Sequence, residues 1–234
     1  MNIVNIGCNN GDDHVLAFCK KHRDNLGKVL MVEPNTDRLN KCTQNYLGID
    51  NVYFINKAIT VDNNNELTLY VDDDDSEGYH TSFRKEHLVS HKHTGEIQEK
   101  KFPAISINDL FEEYDLDTID RLYIDVEGYD VDIVNSIDFS KYKVNRLRFE
   151  ATHTHAPNVP NCPKLVNTLQ NLAGLGYRFL EPPPVMDAGS FEIICTTLKE
   201  LPHKDADCYP DTTVKEDNEY TVLDNFGQIK PNYD

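Results

Sequence analysis

Short apolar runs alternate with amphipathic stretches along most of the chain. Residues 2 to 6 (Asn-Ile-Val-Asn-Ile) predict a buried strand that enters the turn Gly7-Cys8-Asn9-Asn10-Gly11, followed by a helix carrying Val15, Leu16, Phe18 and Cys19. Lys28 to Val32 predicts a second strand closing at Glu33-Pro34-Asn35, Arg38 to Tyr46 a second helix, and Asn51 to Ile55 a third strand. Strands and helices alternating at this interval predict parallel βαβ units and hence a doubly wound α/β sheet. Between residues 60 and 102 the pattern changes: Leu67 to Val71 reads as a β-segment, and the polar stretch after it reads as a lid insertion. Ser106 to Tyr114 predicts a helix capped by Ser106, with Asp109 three residues on. Leu122 to Val126 predicts the fourth strand, a helix follows through Val131, Ile133, Val134 and Ile137, and Arg146 to Glu150 predicts the fifth strand. Leu165, Val166, Leu169, Leu172 and Ala173 share one helical face, Gly174 and Gly176 end that helix, and strands follow near Tyr177 to Leu180 and Phe191 to Thr197. The expected organisation is one domain over residues 1–200 and an acidic tail over 201–234, where periodicity fades.

Charge narrows the possible partners. The 234 residues carry 23 Lys and Arg against 40 Asp and Glu, a formal charge of −17, which disfavours nonspecific contact with nucleic acid or anionic lipid. No run approaches the roughly 18 apolar residues of a membrane span, and Met1 is followed by a strand-like stretch rather than a signal peptide. The six cysteines are scattered without a CxxC pair or a zinc spacing, so reduced thiols in a cytoplasmic setting are expected. Asp72 to Asp75 with His80, His87, His91 and His93 fits no familiar ligand motif and reads as a solvated loop, so no metal site is predicted there.

In an open α/β sheet the ligand lies beyond the carboxyl ends of the strands. Those ends are polar here: Asn5 and Gly7 to Gly11, then Glu33, then Asn56 and Ala58, then Asp125 and Glu127, then Glu150 and His153. Glycines at a helix start admit close backbone approach, and an acid closing the second strand accepts both hydroxyls of a ribose, so the set describes an adenosine site. A dinucleotide needs the middle glycine of GxGxxG to seat its pyrophosphate, and this loop is GxxxG with Asp12 and Asp13 behind it. S-adenosylmethionine has no phosphate and carries an ammonium, so acidic and polar groups at the first turn suit it better.

Three blocks, Asn5-Ile6-Gly7-Cys8-Asn9-Asn10-Gly11, Val32-Glu33-Pro34-Asn35 and Ile124-Asp125-Val126-Glu127-Gly128-Tyr129-Asp130, occur in the order and spacing of a known signature. With Thr81-Ser82, Ile107 to Leu110 and Phe149-Glu150, they resemble the FkbM family of S-adenosylmethionine-dependent methyltransferases over roughly residues 2 to 198. Asn5 stands where that family carries an acid. The resemblance implies a Rossmann-like class I methyltransferase fold, a doubly wound, mostly parallel sheet with a C-terminal antiparallel strand. It further implies that Glu33 and Pro34 border the ribose, that Asn56 and Ala58 lie against the adenine, that Asn5, Gly7, Asn9 and Gly11 line the methionine end, and that Ser82 reaches the cofactor carboxylate.

Methyl transfer is an in-line displacement at a sulfonium, and a hydroxyl acceptor also needs a base. Asp125, Glu127, Glu150 and His153 are the candidates. If the strand continues through residues 125 to 127, both acids point to one side of it, where the pair can raise one pKa, bind a divalent metal or hydrogen-bond a sugar. The expected activity is O-methylation of a sugar, glycan or small polar metabolite, with residues 72 to 95 covering the acceptor and Arg84 and Lys85 near any anionic group on it. A dinucleotide-dependent oxidoreductase and a catalytically silent cofactor-binding module are the rival readings. Oligomeric state is not legible.

Overall fold

The computed structural model describes residues 1–62, 64–72, 81–85, 88, 96–151, 162–179, 192–197, 220–223 and 229–231. In chain order these hold β1 (Ile3–Ile6), α1 (His14–Lys21), β2 (Val29–Val32), α2 (Thr36–Asn45), β3 (Val52–Ile55), β4 (Ala58–Thr60), β5 (Glu66–Asp72), β6 (Thr81–Ser82), β7 (Ile97–Ser106) and α3 (Ile107–Glu113). Then come β8 (Thr118–Ile119), β9 (Arg121–Ile124), α4 (Asp130–Ser136), β10 (Lys143–Val144), β11 (Arg146–Glu150), α5 (Pro163–Gly174), β12 (Arg178–Phe179), β13 (Glu192–Thr196), β14 (Tyr220–Leu223) and β15 (Ile229–Pro231).

Nine strands form the main sheet in the order β15-β14-β12-β13-β11-β9-β1-β2-β3. From β11 to β3 every pairing is parallel, whereas β13 runs antiparallel to both β11 and β12. This is the Rossmann-like methyltransferase architecture expected, with its antiparallel strand near the C-terminal end. Part of the segment beyond residue 200 is sheet rather than tail, since β14 pairs with β12 and β15 with β14.

The period of two along each strand sends side chains to two separate cores. Val4, Ile6, Leu30, Val32, Leu122 and Ile124 pack with Ile107, Leu110, Phe111, Val131, Val134, Leu165 and Leu169 of α3, α4 and α5. Ile3, Val29, Met31 and Tyr123 pack on the opposite face with Val15, Leu16, Cys19, Leu39 and Cys42 of α1 and α2. Strands β1 and β2 are therefore buried on both faces, which is why they read as continuous apolar runs.

The 60–102 stretch builds a second layer. β5 and β7 pair antiparallel from Glu66–Pro103 to Asp72–Ile97, β4 joins β7 in parallel and β6 joins β5. Leu69, Ala58 and Ala104 form a small core of their own, joined by Leu67, Phe83 and Phe102. Asp72 closes β5 in a buried position, unlike the solvated residue the sequence predicts. Asp73 to Asp75, His80, His87, His91 and His93 lie outside the described residues, and so does most of the expected lid.

Candidate active site

The strand order reverses between β1 and β9, and the crevice opens at the carboxyl ends of these two strands. A cavity of about 250 Å³ lies there, lined by the first turn (Gly7, Asn9, Asp12, Asp13), by Glu33 and Pro34, by Ala58, and by Asp125, Glu127 and Tyr129. Leu67, Leu69, Ser82 and Phe83 of the second layer form its outer wall. Of the stretch expected to act as a lid, Ser82 and Phe83 stand in this wall.

The first turn is shaped by contacts within the protein. Gly7 has φ +76°, and a Cβ there would sit 1.8 Å from the Asp125 carbonyl oxygen. A Cβ on Gly11, at φ +66°, would lie 2.5 Å from Cys42 Sγ and 3.0 Å from the Tyr46 ring. The missing side chains of the two glycines let the turn close against the segment after β9 and against α2; Gly7 lines the cavity and Gly11 does not. Asn9 is left-handed at φ 48°, and its side-chain oxygen is buried without a hydrogen-bond partner.

Glu33 ties the turn to the second strand. Its Oε2 accepts from the Asn9 N–H (3.1 Å) and its Oε1 from the Asn35 N–H (2.8 Å), while burial pushes its pKa above the usual carboxylate value. Asn56 stands behind it rather than in the cavity: its Nδ2 donates to the Glu33 and Pro34 carbonyls (3.0 and 2.8 Å), and its Oδ1 accepts from Thr36 Oγ1 (2.8 Å). The adenine contact expected of Asn56 is thereby replaced by a clamp on the Glu33-Pro34 turn, whereas Ala58 does line the cavity.

Beyond β9 the strand ends at Ile124, so the alternation assumed for Asp125 and Glu127 does not hold. Glu127 is left-handed at φ 58°, and this turn still brings the acids together. Asp125, Glu127 and Glu150 each offer a carboxylate oxygen within 4.8 Å of the other two, a grouping that can hold a divalent cation or several hydroxyls. Neither acid caps α4, whose N-cap position is Tyr129 and has no side-chain cap bond. His153 lies outside the described residues.

Two side chains that the sequence reading left without this role hold the acid turn. Asp130, buried, accepts from the Val126 and Gly128 N–H groups (3.2 Å each), bracketing Glu127. Ser82 donates its hydroxyl to the Glu127 carbonyl (2.7 Å) and accepts from the Arg84 N–H (3.0 Å), so its role in the cavity wall is to brace Glu127. Phe83 stacks on Tyr129 with centroids 4.0 Å apart, extending the same brace. Burial, then the neighbouring Asp125 and Asp130, push the Glu127 carboxyl up to about 8. Asp130 is pushed up to about 7 by burial and Asp125. The signal for Asp130 was its spacing behind Asp125-Val126-Glu127-Gly128; nothing local marks Ser82 as its partner.

At the opposite rim Asp13 caps α1, its carboxylate accepting from the Val15 and Leu16 N–H groups. Asn5, buried beneath the turn and outside the cavity lining, donates to Asp13 Oδ2 (3.2 Å). Among the lining residues the acids are Asp12, Asp13, Glu33, Asp125 and Glu127, and the base is Lys57, which pairs with Glu113 at 3.4 Å.

A parallel sheet whose order reverses at an acid-lined crevice, with an acid closing its second strand, defines the Rossmann-like class of domains that bind their ligand at the switch point. Residues 5–179 match the methyltransferase FkbM domain, and the chain belongs to that family. Comparison with curated proteins returned no match. Among solved structures, a ribosomal protein L11 methylase from Lactobacillus delbrueckii subsp. bulgaricus is similar at 14% identity and TM-score 0.34, over 83% of this chain and 69% of that one. An S-adenosylmethionine-dependent methyltransferase from Aquifex aeolicus is similar at 12% identity and TM-score 0.39, over 85% of this chain and 82% of that one. Among the described residues no helix is long and apolar enough to cross a membrane.

Proposed function

We propose that the protein uses S-adenosylmethionine to methylate a hydroxyl of a sugar, glycan or other small polar metabolite. The observation that carries this reading is the hydrogen-bond acceptor set of the cavity: the carboxylates of Asp12, Asp13, Glu33, Asp125 and Glu127 and an unsatisfied amide oxygen on Asn9. Such a set fits a ligand that brings N–H and O–H donors and positive charge, and it opposes a dinucleotide. When bound, S-adenosylmethionine supplies an electrophilic methyl group on a sulfonium.

Glu33 holds the ribose hydroxyls, Pro34 and Ala58 border the adenosine, and Gly7 and Asn9 line the methionine end. Asp125 and Glu127 of the cavity wall, with the Glu150 carboxylate grouped beside them, hold the acceptor's hydroxyls in line. Glu127, with its pKa pushed up to about 8, is basic enough when ionised to take the acceptor's proton on a carboxylate oxygen. Leu67, Leu69 and the Phe83–Tyr129 stack keep water from one side of the cavity. The protein is expected to act on a small acceptor in a cytoplasmic setting and away from nucleic acid.

The test is calorimetry with S-adenosylmethionine and NAD, followed by a labelled-methyl transfer screen over glycans and hydroxylated metabolites. Binding of the first ligand alone, with label transferred to a hydroxyl, is expected. Tight cofactor binding with no transfer to any acceptor class would leave a silent binding module instead.

A further inference from the structure

The cavity has two unlike linings. The segment after β9 supplies Asp125 and Glu127, with the Glu150 carboxylate grouped beside them, whereas the second layer supplies Leu67, Leu69 and Phe83. Phe83 joins the two. Its ring stacks on Tyr129 with centroids 4.0 Å apart and planes 20° from parallel, and Tyr129 stands two residues beyond Glu127. The preceding residue, Ser82, donates to the Glu127 carbonyl at 2.7 Å and accepts from the Arg84 N–H at 3.0 Å, so the chain is pinned on both sides of Phe83. An aromatic ring is thereby held next to the turn that carries Glu127.

Tyr129 is buried, whereas Phe83 packs on the small core of Leu69, Ala58 and Ala104 yet stays only partly buried and lines the cavity. Part of its ring therefore faces the ligand space. A pocket of this make-up favours a ligand that turns an apolar face to an aromatic ring and hydroxyls to placed carboxylates. A pyranose does both, because its C–H groups gather on its faces and its hydroxyls stand around its edge. The open-chain polyol of the same sugar has the hydroxyls but no fixed apolar face. It satisfies the acid lining and leaves the ring of Phe83 poorly covered.

We propose that Phe83 is the platform on which the acceptor ring sits, and that it selects a cyclic sugar over an open-chain polyol. The assignment deepens the proposed methylation of a hydroxyl and rests on that reading. The test is labelled-methyl transfer from S-adenosylmethionine to matched pairs: methyl pyranosides of the sugars that the acceptor screen finds active, each against the open-chain alditol of the same sugar.

On the full chain, kcat/KM is expected to favour the pyranoside at least about tenfold. Phe83→Leu keeps apolar bulk without the ring and is expected to raise the pyranoside KM about 3- to 10-fold, bringing the pair toward parity, while S-adenosylmethionine affinity changes less than about twofold. Phe83→Tyr keeps the ring and is expected to keep the preference. A thermal melt checks each variant, and the wild-type ratio stands as a measurement whether or not a variant folds. A purely structural role would lower transfer to pyranoside and alditol alike. Equal wild-type use of the two, a preference that survives Phe83→Leu unchanged, or transfer only to acceptors without a sugar ring overturns the proposal and leaves the proposed function standing. Cofactor binding with no label on any acceptor removes the proposed function and this assignment with it.

Discussion

The loops after β1 and after β9 face one another across the same crevice, and each carries residues in the left-handed region. After β1 the task falls largely to Gly7 and Gly11, whose missing side chains let the loop press on Asp125 and on α2. After β9 it falls partly to Glu127, a residue with a Cβ and a charge, held in place by Asp130 from within and Ser82 from the second layer. The first loop is fixed by close packing. The second is fixed by hydrogen bonds around acids whose charge is disfavoured by burial. The first loop leans on packing and on the Glu33 carboxylate that holds the Asn9 N–H, whereas the second, with Glu127 and Asp130 pushed up to about 8 and about 7, is the more sensitive to charge and pH.

The largest effect is expected at the packed loop. Gly7→Ala pushes a methyl against the Asp125 carbonyl and imposes a left-handed conformation on alanine, at about 3 kcal/mol or more of stability, measured by urea denaturation. A loss below about 1 kcal/mol would show that the two loops are not in close contact.

Asp130→Ala removes the acceptor for the Val126 and Gly128 N–H groups. It is expected to cost about 2 to 3 kcal/mol and to lower methyl transfer at least about tenfold, while S-adenosylmethionine affinity changes less than about twofold. Parallel loss of affinity and turnover would merge the two loops into one functional unit.

The pH dependence is expected to separate them. The folded state holds protons on Glu127 and Asp130 up to about 8 and about 7, well above the ordinary values of 4.5 and 3.8. Their favourable contribution is complete below those ordinary values and is lost as pH rises through about 7 to 8. In buffer with a metal chelator, Glu127→Gln is therefore expected to raise the melting temperature at pH 8.5 by about 2 to 4 °C per kcal/mol relieved, and to leave it unchanged near pH 4. A wild-type melting temperature that is flat between these pH values would contradict the burial of the Glu127 charge. The smallest effect is expected from Ser82→Ala, about 1 kcal/mol, from loss of its bond to the Glu127 carbonyl.

The sequence made the main sheet legible because β1, β2, β9 and β11 are buried strands whose apolar runs stand out, and because caps such as Ser106 are local signals. Glu33 was legible for the same reason, as the residue on which an apolar run stops. What was hidden depends on partners distant in the chain. The close fit of Gly7 against the Asp125 carbonyl, the clamp of Asn56 on the Glu33 and Pro34 carbonyls, and the bond from Ser82 to the Glu127 carbonyl all join residues far apart in the chain. β5 was legible as a β-segment over Leu67 to Val71, but its partner β7 lies in and beyond the polar stretch read as a lid, so their pairing was hidden. Asp13 was visible as a helix start, but its second oxygen acquires meaning only when Asn5 is folded beneath it.

The bond from Ser82 to the carbonyl of Glu127 joins the wall that surrounds an acceptor to the acid that would deprotonate it. A substitution in the second layer that reshapes the cavity for a different acceptor also shifts that acid. Changes of acceptor in this protein should therefore arise as paired substitutions, one in residues 66–83 and a compensating one in residues 125–130.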